Sequence, residues 1–98
     1  MLVRLIKSYR YVVAVCDSEL LGKRFEEGDF QLHVKESFYK GEEKSEKETV
    51  KFLERMAKED ATFNIVGEKS VSAALKAGII NEDSVGEVQG IKFALVLL

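Results

Sequence analysis

Two short apolar runs open the chain. Leu2 to Lys7 and Tyr11 to Cys16 are rich in Val, Leu and Ile and are joined by the polar Ser8-Tyr9-Arg10, a pattern that predicts paired β-strands. The second run, YVVAVC, is apolar on both faces and predicts an interior strand. Asp17-Ser18-Glu19-Leu20-Leu21-Gly22 offers a capping residue and a terminating glycine, which fits one helical turn. From Asp29 the positions alternate. Phe30, Leu32 and Val34 face one way and Gln31, His33 and Lys35 the other, so this segment predicts a half-buried strand with solvent on one side.

The period then changes. Ser45-x-x-Glu48 forms a capping box, which opens a helix predicted to run to about Glu59. Thr49, Phe52, Leu53, Met56 and Ala57 make its core-facing stripe. Thr62 to Val66 predicts a strand, and Glu68 to Ala77 a helix closed by Gly78 in the left-handed C′ position, with Ile79 packing back. After a turn at Asn81 to Ser84, Val85 to Val88 and Ile91 to Leu98 flank a tight Gln89-Gly90 connection. The last segment is apolar at almost every position and predicts a strand inside a sheet. Strands at both ends with helices between imply an α+β (mixed α/β) fold over residues 1–98. The expectation is a single compact domain, a mixed sheet of about five to six strands packed by two main helices.

Composition narrows the function more than the fold. A chain of 98 residues with 46% hydrophobic and 33% charged positions builds one globular core. The net charge of −2 provides no global positive field, so any nucleic-acid contact has to come from a local patch. A lone cysteine excludes an intramolecular disulfide framework. Glu and Lys dominate the charged residues, a bias of thermophile type. Arg4, Lys7 and Arg10 interrupt the N-terminal apolar stretch every three residues. Neither a signal peptide nor a membrane span is expected there, and the expected location is the cytoplasm, with no membrane partner.

The clearest chemical asymmetry lies on the capping-box helix. Lys44, Lys47, Lys51, Arg55 and Lys58 fall within one arc about 80° wide, flanked by Glu48, Glu54 and Glu59. Like charges at these spacings repel, so the helix gains nothing locally from the arrangement. Such a ridge can lie against the phosphates of RNA; the plainer reading is a solvated face balanced by the flanking glutamates.

Gly67, Lys69 and Ser70 are the secondary candidates, as an anion site at a helix N-terminus with free amides. Against it, GEKS lacks the remaining glycines of a phosphate loop, and Glu68 competes for the positive helix end. Ser70, Ser72, Ala73, Ala74 and Ala77 are also small enough simply to let the helix approach a sheet. His33 has no partner at ligand spacing, so no metal is expected. Cys16 is either a buried structural thiol or half of a Cys-His pair with His33. Glu26-Glu27 and Glu42-Glu43 are expected as solvated loop charges. No nucleophile, base and orienter come together, so no catalytic residue and no cofactor is expected.

The segments VVAVCDSELLGKRFEEGDFQLHV, FNIVGEKSVSAALKAGII and QGIKFALVLL together resemble an archaeal protein family, domain of unknown function 424. The resemblance spans essentially the whole chain apart from residues 42–60, where the basic ridge lies. It implies an archaeal, cytosolic, single-domain protein and carries over no catalytic residues. The expected role is a non-catalytic binding module that contacts RNA or a ribonucleoprotein through the ridge, with Lys23 and Arg24 as further contacts. The alternatives are a protein-interaction or homodimerising module that uses a sheet edge or apolar patch, and an enzyme on Cys16.

Overall fold

The computed structural model describes residues 1–97. Strands β1 (Leu2–Ile6) and β2 (Val12–Cys16) pair antiparallel, with Leu2 opposite Cys16 and Ile6 opposite Val12. A ribbon of β3 (Arg24–Glu27) and β4 (Phe30–His33) follows, then a short helix α1 (Glu36–Tyr39) and a two-residue strand β5 (Glu42–Glu43). Helix α2 (Glu46–Lys58) leads to β6 (Thr62–Val66), and α3 (Glu68–Ala77) leads to β7 (Gly86–Val88) and β8 (Ile91–Val96). The main sheet has six strands in the order β5-β1-β2-β6-β8-β7, in which only β2 and β6 run parallel. This is the α+β architecture the sequence predicts, with the β3–β4 ribbon as a separate second sheet.

Alternation along the central strands creates two cores. Val13, Val15, Phe63, Ile65 and Ala94 meet α2 and α3 through Leu53, Met56, Val71, Ala73 and Ala74. On the other face Ala14, Cys16 and Val66 lie under Leu20, Val34 and Tyr39. Strand β2 is therefore buried on both sides, as an all-apolar run should be. The small residues of α3 do their expected work: Ser70, Ala73 and Ala74 are fully buried, so the helix backbone sits close to the sheet.

Several expectations fail for identifiable reasons. The 29–35 strand does not join the main sheet; it pairs with the charged segment β3, which its composition concealed. Phe30 consequently stays 68% exposed, although Val34 on the same face is buried. Glu26 and Glu27 are strand residues, and both bond the β7–β8 turn: Glu26 N donates to Gln89 Oε1 at 3.3 Å and Gln89 N to Glu27 Oε1 at 2.6 Å. Glu42 and Glu43 are likewise not loop charges, since they extend the sheet beside Leu2 and Val3. Glu43 also accepts from Ser18 Oγ at 2.7 Å and from the Met1 amine at 2.5 Å. Ala57 leaves the core stripe of α2 and is exposed; Val50 is half-buried against that core instead. Strand β8 is interior, yet Leu95 and Leu97 are 54% and 72% exposed. The ribbon and α1 cover one end of that sheet face and leave the other open. The predicted extension to Leu98 lies outside the described residues.

Candidate functional site

Helix α3 begins at Gly67, and its anion is already in place. Parallel strands β2 and β6 end side by side, so Asp17 follows Cys16 just where Gly67 follows Val66, and Asp17 N donates to Val66 O at 3.0 Å. The Asp17 carboxylate, itself buried, accepts from Lys69 N at 3.1 Å, Ser70 N at 2.8 Å and Ser70 Oγ at 2.7 Å. Two of the first-turn amides are thus satisfied from within the chain, with negative charge at the positive helix end. Gly67 is required on two grounds: its φ is +110°, and a Cβ there would sit 2.3 Å from Asp17 Cγ. Gly67, Lys69 and Ser70 are brought together, but as an internal clamp whose amides are occupied.

Cys16 lies directly beside that clamp and is fully buried. Burial, and secondarily the Asp17 charge, pushes its thiol up to about 11, so it is protonated at neutral pH. Tyr39, packed in the same core, is pushed up to about 12 by burial. His33 is on the ribbon, where its Nδ1 lies 3.4 Å from Arg24 Nη2, and no hydrogen bond joins it to Cys16 among the described residues. No cluster of three or more His, Cys, Asp or Glu among the described residues is placed to hold a metal.

The cationic arc of α2 is real as a surface, with one defector. The capping box forms as predicted: Glu48 N donates to Ser45 Oγ at 3.2 Å and Ser45 N to Glu48 Oε1 at 2.9 Å. Those bonds hold the Glu48 carboxyl below its usual range and tie it to the helix start. Lys47, Lys51, Arg55 and Lys58 are exposed, and none lies within 4.0 Å of a carboxylate among the described residues. The flanking glutamates therefore do not pair with the ridge. Glu46 reaches away from it to Lys76 on α3. Lys44 is the defector. It is half-buried, lies 3.6 Å from Glu42, and shares the Phe52 ring with Arg55 at 5.7 and 5.2 Å respectively.

The ridge does not end with the helix. A cleft of about 190 Å³ lies between Arg55 and the end of β1, lined also by Lys7, Tyr11 and Glu59. Those last three also line a larger cleft of about 570 Å³ formed with Tyr9, Arg10 and Asp60. Lys7, Tyr9, Arg10 and Tyr11 were not among the residues the sequence singled out. Their signal was the alternation of cationic and aromatic residues in KSYRY, which reads locally as no more than a polar turn. On the opposite face of the sheet, an apolar cleft of about 270 Å³ opens between Phe30, Leu32, Val88, Phe93 and Leu95.

A family model described as protein of unknown function (DUF424) matches residues 7–98. The chain belongs to the DUF424 family. The match runs through residues 42–60, so the basic helix lies inside the family region and not beside it. Among solved structures, the DUF424 chain is similar to an uncharacterized conserved protein from Methanopyrus kandleri, an archaeon. The identity is 27%, covering 97% of this chain and 88% of that one, with a TM-score of 0.87. No curated protein matches. No helix among the described residues is long and apolar enough to cross a membrane.

Proposed function

We propose that this DUF424 protein is a non-catalytic, cytoplasmic binding module that contacts RNA or a ribonucleoprotein through the exposed face of α2. One observation carries the reading: Lys47, Lys51, Arg55 and Lys58 share an exposed helix face and have no carboxylate partner among the described residues. Like charges three and four residues apart cost a helix a few tenths of a kcal/mol per pair. The fold offsets part of that cost, through Arg55 over the Phe52 ring and through Arg55 and Lys58 in the last turn of the helix. A row of phosphates would offset the rest. From Lys47 to Lys58 the ridge is about 16 Å long, enough to lie along several successive phosphates of one strand. The test is anisotropy binding to labelled total RNA fragments. Lys51→Glu with Arg55→Glu should lower affinity at least tenfold, and unchanged affinity would remove α2 from the interface.

The second reading is a homodimer through the open apolar sheet face, favoured by the exposure of Phe30, Leu95 and Leu97. Sedimentation at several concentrations separates it: a strict monomer throughout contradicts the dimer.

A further inference from the structure

Resting on the RNA-binding reading of α2, the geometry points to single-stranded RNA as the ligand. Its backbone would leave α2 through the Arg55–Lys7 cleft, and an unpaired base would stack on Tyr9. The motivating residue is Tyr9, which is 104% exposed at the tip of the β1–β2 turn. An aromatic ring normally buries 150 to 250 Å², and one left wholly in water adds nothing to the fold. The turn beneath it is stiffened, because Ser8 Oγ donates to Arg10 O at 2.8 Å. The ring is therefore held out on a short, braced support with a cation on either side, Lys7 and Arg10.

The two clefts share Lys7, Tyr11 and Glu59, so they adjoin and together form a path that leads from Arg55 toward Tyr9. Cations along a backbone track with an aromatic platform at its end are the elements by which proteins hold unpaired strands. A duplex does not fit this use, because its bases are stacked on one another and have no free face for the ring. Glu59 and Asp60 also face the path. They repel phosphate, which sets the backbone on the Lys7 and Arg10 side and turns base edges and 2′-hydroxyls, both hydrogen-bond donors, toward the carboxylates.

The experiment compares two labelled RNAs of equal length, one an unstructured single strand and the other a blunt duplex, by fluorescence anisotropy. Tyr9→Ala should weaken the single strand roughly 5- to 150-fold and leave the duplex unchanged, while Tyr9→Phe binds like the parent. Since Tyr9 touches no core, the variant keeps the parent's circular dichroism and melting point. Equal binding of the single strand by parent and Tyr9→Ala overturns the stacking site. If Lys51→Glu with Arg55→Glu still weakens binding in that case, the α2 reading survives without it. If the charge reversal also has no effect, or if the parent binds neither RNA at low salt, both readings fall.

Discussion

Replacing Asp17 with alanine removes the carboxylate that hydrogen-bonds the end of β2 to the start of α3. Three hydrogen bonds to one carboxylate are lost, from Lys69 N, Ser70 N and Ser70 Oγ. Lys69 is exposed, so water takes over its amide at little cost. Ser70 is fully buried, and its amide and hydroxyl lose their acceptor. Leaving a buried donor unsatisfied costs about 1–3 kcal/mol, and losing a helix cap about 0.5–2 kcal/mol. These overlap, because one amide is counted in both, so the expected destabilisation is about 3 kcal/mol. In a domain of this size each kcal/mol lowers Tm by about 4–8 °C, a drop of well over ten degrees. Asp17→Asn keeps one oxygen for Ser70 and turns its amide toward Lys69, so it should lose about half as much. Urea unfolding followed by circular dichroism measures both, with an unchanged m-value as the check that only stability moved. If Asp17→Ala comes within about 0.5 kcal/mol of the parent, the clamp does not hold these elements together.

Three further outcomes follow from the same geometry. Gly67→Ala places a Cβ against the Asp17 carboxylate at a φ of +110°, and a loss of about 3 kcal/mol or more is expected; a Tm within two degrees of the parent would refute the close approach. Inorganic phosphate at millimolar concentration should leave Tm unchanged, because Asp17 already occupies the α3 amides; a rise of several degrees that survives charge reversal on α2 would show that site to be open. Cys16 and Tyr39, ordinarily near 9.0 and 10.0, are raised to about 11 and about 12 by burial. The native state keeps protons that the unfolded chain releases, so stability is full below pH 9 and falls as pH climbs from there toward 12. Urea melts from pH 7 upward should show that decline, and Tyr39→Phe should flatten its upper part; a flat profile in the parent is the contrary result.

Local chemistry was legible wherever a local rule decided the outcome. Ser45 and Glu48 are three residues apart and formed the capping box they predict. Gly78 takes the left-handed φ predicted for it at the end of α3. The role of Asp17 was not legible. Read locally, it caps its own short turn, yet it makes no side-chain cap bond there and instead reaches amides 52 and 53 residues on. Only the parallel pairing of β2 with β6 puts those groups together, and pairing is invisible in a local pattern. Strand β3 was missed because the pattern of RFEE carries charge on both sides of its one apolar residue; a two-stranded ribbon at the surface tolerates that where a central strand would not. Leu95 and Leu97 were read as buried because apolar runs usually are. How far the ribbon covers the sheet depends on tertiary docking through Gln89, which no periodicity reports. The ridge itself was visible at once from helical spacing, whereas the loss of Lys44 to Glu42 and Phe52 needed the fold.

The salt dependence of RNA binding tests the central claim most directly. Contacts to Lys47, Lys51, Arg55 and Lys58 contribute about −3 to the slope of log K against log[salt], at roughly 0.7 per single-strand phosphate contact. Charge-neutral Lys51→Gln with Arg55→Gln should remove about half of that contribution, with the fold and Tm preserved. A parent slope near zero, or one that the double variant leaves unchanged, would contradict a phosphate-binding role for α2.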